Sequence, residues 1–248
     1  MKHYHTLFAF IALMLAVSLA CGIDFGNSTP AASEPSQPPA DNTNAGDATP
    51  DSSGEKYFTE EFDGGYDDWS KSIVLGSDET NESGLSLETD GGFLVFDVDT
   101  KYLFTYLFYE PFDYDNVVVE ARVENRGTNN NNISLICRYS DEGWYEFNIA
   151  NNGLYDILYG SKNDAGEIVY APIADGGSNK IKSGKDVNEY KIICKERTLS
   201  LFINGTETRV LKENNVVLRD GKVGIGVSSF KDLPVKVDVD WVKISQPQ

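Results

Sequence analysis

From Phe93 to Ser245 the chain is a succession of short runs of Val, Ile, Leu, Tyr and Phe, cut by Gly, Asn and Asp, and no stretch of helical length keeps a 3.6-residue apolar period. That pattern rules out a helical or doubly wound architecture. The runs cover 93–99, 102–109, 116–125, 133–140, 144–150, 154–160, 190–196, 198–205, 206–213, 221–229 and 235–245. Asn152-Gly153, Asn204-Gly205 and Asp220-Gly221 supply the positive-φ positions of tight hairpins. About eleven strands at this spacing predict an all-β, two-sheet antiparallel sandwich.

Alternation along the middle strands separates an inside from an outside, because side chains point to opposite faces with period two. It places Ile133, Leu135, Cys137 and Tyr139 inward, and Ser134, Ile136 and Arg138 outward. In the next two runs Tyr145, Phe147, Ile149, Tyr155, Ile157 and Tyr159 point inward, leaving Glu146, Asn148 and Asp156 outside. If these strands are neighbours, Arg138, Glu146, Asn148 and Asp156 form one polar row. Trp144 follows the polar turn Ser140–Gly143 and is expected at its rim. Such a row beside an aromatic ring can bind sugar hydroxyls, but a cross-strand ladder pairing Arg138 with Glu146 is the commoner use of such a pattern. The remaining aromatics, including the doubly apolar run 102–109, read as core, with Trp69 and Trp241 as framework residues near the two ends of the domain.

At the other end of the chain, Thr6–Ala20 is uncharged and largely apolar, is preceded by Lys2, and runs straight into Cys21-Gly22. It is too short to cross a hydrocarbon core of about 30 Å comfortably and reads as a cleaved lipoprotein export signal, with Cys21 as the lipidated mature N-terminus; a short membrane anchor is the alternative. Residues 21–56 are rich in Pro, Ser, Asn and Asp, the composition of a disordered tether with a reach of roughly 30–35 Å. The sandwich is expected over 57–246. The protein is therefore expected outside the cytoplasm, as a monomer held to a membrane by its lipid alone.

Composition removes several chemistries. His3 and His5 are the only histidines and lie in the export segment, so histidine-dependent triads, general bases and zinc sites are closed to the mature chain. A formal charge of −18 and a pI near 4.4 argue against nucleic-acid partners. No phosphate-binding glycine loop is present. With Cys21 lipidated, Cys137 and Cys194 are left as an even pair in strand-like surroundings, readable as a disulfide or as two buried thiols.

The ordered series FTEEFDGGYDDWS, CRYSDEGWYEFNIANNGLYDIL, NEYKIICKERTLSLFINGTETRV, RDGKVGIGVSSF and VDVDWVKI resembles the concanavalin A-like jelly-roll domains of extracellular bacterial proteins. The 3-keto-disaccharide hydrolase family is the nearest type, with laminin-G-like and glucanase-like relatives. The resemblance implies a jelly-roll sandwich, and a calcium ion where the first and last strands meet, held by Glu61 or Asp63 with Asp240. It also implies glycan binding or glycan hydrolysis. The glucanase strand Glu-x-Asp-x-(x)-Glu is absent: Glu61-Phe62-Asp63 lacks a third carboxylate, and the segment from Glu120 to Glu124 lacks the central aspartate. The expectation is a non-catalytic carbohydrate- or ligand-binding module. The alternatives are a 3-keto-glycoside hydrolase-like enzyme using Glu146 and Asp156, and a spacer or adhesion module.

Overall fold

The computed structural model describes residues 55–248, which fold into fifteen strands in two antiparallel sheets and one short 3-10 turn. One sheet runs, in spatial order, β13 (Thr206–Lys212), β12 (Thr198–Ile203), β11 (Val187–Lys195), β6 (Val117–Asn125), β15 (Val235–Ser245), β4 (Phe93–Val98) and β3 (Leu85–Asp90). The three-residue β1 (Phe58–Glu60) adds to β15, making eight strands. The other runs β10 (Ile168–Gly177), β9 (Leu154–Lys162), β8 (Gly143–Ile149), β7 (Asn131–Ser140), β14 (Lys222–Ser229), β5 (Leu103–Tyr109) and β2 (Trp69–Leu75). This is the jelly-roll sandwich. Cys21 and the export and tether segments, apart from Glu55 and Lys56, lie outside the described residues.

The alternating inward residues do close the core. Val117, Val119, Ala121 and Val123 of β6 meet Ile133 and Leu135 of β7 and Tyr145, Phe147 and Ile149 of β8 in one continuous apolar cluster, each 1% exposed or less. Cys137 of β7 and Cys194 of β11 form a disulfide that ties the two sheets together through this core. Closing a loop of 57 residues in the unfolded chain stabilises the fold by about 4 kcal/mol on the chain-entropy model.

Four strands carried too weak an apolar signal to be read from sequence: β1, β2, β3 and β10. Three of them are sheet edges, and β1 adds only three residues to β15. An edge strand packs on one neighbour and tolerates proline and polar residues. β10 shows both, with Pro172 at a bulge and the exposed Asp175 near its end.

The alternation breaks at one position, and that break overturns a predicted orientation. Arg138 has φ +57°, and the pairing of β7 slips against β8 between Cys137 and Ser140 and against β14 at the same level. A bulge of this kind flips every later side chain on its strand. Arg138 is therefore 2% exposed instead of outward-facing, and Tyr139 is turned to the outer surface instead of the core.

Candidate functional site

Strand register places three rows across the outer face of the seven-stranded sheet. The first reads Ser72, Tyr106, Gly226, Ser134, Asn148, Asp156, Asp175 from β2 to β10. Beside it run Phe108, Gly224, Ile136, Glu146, Leu158 and Pro172, and then Trp144, Gly160 and Tyr170. Glycines make this face what it is. A Cβ on Gly224 or Gly226 would come within 2.8 Å of the Phe108 ring or 2.7 Å of the Tyr106 ring, and one on Gly160 would overlap the Trp144 indole. Three bare backbone positions thus let three aromatic rings lie flat on the sheet. Tyr139 stacks on Phe108 at 3.8 Å, and Tyr170 meets Trp144 edge-on at 5.9 Å. Tyr106, Phe108, Ile136 and Trp144 form a second apolar cluster, distinct from the main core.

Glu146 sits in the middle of this cluster, 1% exposed and in no ion pair among the described residues. Its Oε2 accepts from Trp144 Nε1 at 3.0 Å. Its Oε1 lies 3.2 Å from the Tyr106 hydroxyl and 3.1 Å from Ser134 Oγ. The Tyr106 hydroxyl in turn pairs with that of Tyr170 at 2.9 Å, and Ser134 Oγ donates to Asn148 Oδ1 at 2.6 Å. Burial pushes the Glu146 carboxyl above the ordinary glutamate value, partly opposed by the hydrogen bonds it accepts, from the Trp144 indole above all. Ser134 has a single hydroxyl proton and two acceptors within reach, Glu146 Oε1 at 3.1 Å and Asn148 Oδ1 at 2.6 Å. Burial also raises the hydroxyls of Tyr106 and Tyr170, so both stay protonated.

The structure brings Glu146, Asn148 and Asp156 onto one face as the alternation requires, Asn148 opposite Asp156 across β8 and β9. Trp144 shares that face but is 3% exposed, because Gly160 lets its indole lie down beside Tyr170; it is no open platform. Arg138 is not part of the row. Its Nε and Nη2 donate to Asp115 O at 3.0 and 2.8 Å and its Nη1 to Leu218 O at 2.8 Å, pinning two loops, so the Arg138–Glu146 ladder does not form. Sequence reasoning missed Tyr106, Tyr170 and Asp175. Tyr106 lay in a run that looked doubly buried, while Tyr170 and Asp175 lie on the unread β10. Asp156 and Asp175 are direct cross-strand partners, both exposed, with no cation paired to either among the described residues. Partial burial, and Asp175 opposite it, raise the Asp156 carboxyl.

At the chain ends, β1 does pair with β15, yet Asp240 accepts from Arg122 Nε at 2.8 Å, and Arg122 also bonds Glu189 at 3.0 Å. Glu61 and Asp63 are exposed, and no group of three or more potential metal-ligating residues gathers among the described residues.

No protein-family model and no curated protein matches the sequence. Solved structures do match in shape. A β-glucanase of Bacillus licheniformis superposes with a TM-score of 0.55 at 12% identity, over 77% of this chain and 98% of the glucanase. A family 16 glycoside hydrolase of Bacteroides ovatus, solved with a glucan oligosaccharide product, gives 0.54 at 12% identity, over 76% and 99%. A galectin-like protein of unknown function from Bacillus subtilis gives 0.56 at 11% identity, over 76% and 94%. This chain shares their jelly-roll fold, of the concanavalin A-like, glucanase type.

Proposed function

We propose that this chain is a lipoprotein, anchored at Cys21 outside the cytoplasm, whose sandwich binds carbohydrate without catalysis on the outer face of the seven-stranded sheet. The observation that carries the reading is the exposed couple Asp156 and Asp175, paired to no cation among the described residues, set in one row with Asn148 and flanked by Leu158, Pro172 and Tyr170. Carboxylates and an amide at strand spacing match vicinal hydroxyls, and the apolar shelf matches a sugar ring's CH face. Beside them on the same face, Trp144 and Tyr106 are hydrogen-bonded to Glu146. The glucan bound in the structurally similar Bacteroides ovatus enzyme supports this class of ligand.

The test is a glycan array probed with the full-length protein, its Asp156→Asn and Tyr170→Ala variants, and with calcium or chelator present. Binding that both substitutions weaken supports the reading; no binding to any glycan removes it. Loss on chelation would bring back the calcium ion expected near Asp240. The raised carboxyl of Glu146 favours a second reading, a 3-keto-glycoside hydrolase-like enzyme with Glu146 as acid and Asp156 as base. Turnover of 3-keto-glycosides that Glu146→Gln abolishes would establish it over simple binding.

A further inference from the structure

The two sheets treat their surface carboxylates differently. On the eight-stranded sheet cross-strand acids are matched: Arg122 holds Glu189 at 3.0 Å and Asp240 at 2.8 Å, and Arg126 holds Glu124 at 3.3 Å and Asp238 at 2.8 Å. On the seven-stranded sheet Asp156 and Asp175 stand directly opposite each other, both exposed, and neither is in an ion pair among the described residues. Strands β8 and β10 contain no lysine or arginine. β9 has one, Lys162, six residues along the strand from Asp156 and so about 20 Å away. Like charges set opposite each other across two strands destabilise a sheet. Partial burial and then the charge of Asp175 raise the Asp156 carboxyl, and no cation lowers it.

Asn148 lies next in the same row and is 8% exposed. Its Oδ1 accepts from Ser134 Oγ at 2.6 Å, and its Nδ2 has no hydrogen-bond partner among the described residues. The row thus presents a free donor beside two acceptors. Leu158 and Pro172 in the next row, and Tyr170 in the one after, continue it as an apolar shelf. These groups ask for a positive charge and a hydrogen-bond acceptor carried on a body with an apolar face. A bare divalent cation does not meet that demand: calcium takes six to eight oxygen ligands, and no group of three or more potential metal-ligating residues gathers among the described residues. A protonated amine meets it, since its three N–H donors can be shared between two carboxylates.

We propose that the carbohydrate bound on this face is a cationic oligomer of amino sugars. A free ammonium group sits at Asp156 and Asp175, a sugar oxygen accepts from Asn148 Nδ2, and a neighbouring ring lies on Leu158 and Pro172. The inference rests on the glycan reading and narrows its ligand.

Cellotetraose and the β-1,4 tetramer of glucosamine with free amines differ at one position of each ring, hydroxyl against ammonium. Both are titrated calorimetrically into the full-length protein in mildly acidic buffer, where the amines are protonated. The glucosamine tetramer should bind about fivefold tighter at low salt, the scale of a partly exposed ion pair, and the preference should shrink at high salt. Asp156→Asn should bring the two affinities together. Glu189→Gln removes one negative charge from the other sheet and should leave the preference intact, which separates this pair of carboxylates from the general pull of a chain of net charge −18. Tetralysine, a cation without a sugar ring, should bind more weakly than the glucosamine tetramer. Two sugars bound equally well would overturn the inference and leave the glycan reading standing. A preference that survives Asp156→Asn or disappears in Glu189→Gln, or tetralysine bound as tightly, would also overturn it. So would binding of neither sugar at millimolar concentration, and the glycan array then decides whether the wider reading falls with it.

Discussion

Replacing Glu146 by Gln tests whether the buried carboxyl is neutral. The amide keeps an acceptor for Trp144 Nε1 and a donor for Ser134, so it imitates the protonated acid and leaves the packing of Tyr106 and Tyr170 in place. Burial raises the folded-state pKa of Glu146 above its ordinary value of 4.5. Between these two values the folded state holds a proton that the unfolded state has released. Wild-type stability therefore falls relative to the variant as pH rises, by up to about 1.4 kcal/mol per pH unit, and levels off above the folded pKa. For a domain of this size that slope is about 3–6 °C per pH unit in melting temperature. Thermal melts of both proteins from pH 4 to 8 at fixed ionic strength measure the difference directly, and the pH response of the other carboxylates cancels. The two should run parallel below about pH 4.5 and diverge above it, with Glu146→Gln the more stable at pH 8. A constant difference, or a wild type that gains on the variant as pH rises, would refute the neutral carboxyl.

Arg138→Met should cost about 2–3 kcal/mol in urea denaturation, because it strips the loop carbonyls of Asp115 and Leu218 of their charged donor. Replacing Cys137 and Cys194 together by Ala should lower stability by about 4 kcal/mol in the same assay, and a loss under 1 kcal/mol would argue that the unfolded chain is already compact. Gly160→Ala should displace the Trp144 indole and break its bond to Glu146, seen as a red-shifted tryptophan emission with a stability loss of about 1–3 kcal/mol.

The strands that pack on both sides were legible because their alternation is enforced by the core, as with Ile133, Leu135 and Cys137 facing in while Ser134 and Ile136 face out. Edge strands lack that enforcement, so β10 is not legible in the sequence, nor are Tyr170 and Asp175 of the candidate site. The sequence of β7 gives no hint that Arg138 adopts a positive φ; the bulge is set by the pairing of β7 with both β8 and β14, a tertiary condition. The burial of Trp144 is not legible in the sequence for a related reason. Its burial depends on Gly160 of the next strand and Tyr170 of the one beyond, and neither relation exists until the sheet is assembled. Glu146, Asn148 and Asp156 survived because they sit in an uninterrupted stretch of register between β8 and β9.

Hydrogen–deuterium exchange, recorded with and without the glycan that binds best on the array, tests the location of the ligand most directly. Protection gained in β8, β9 and β10, and absent in the Asp156→Asn variant, is the result expected of a ligand seated on Asn148, Asp156, Asp175 and Tyr170. Protection confined to the eight-stranded sheet, or to neither sheet, would contradict the assignment of that face as the glycan site.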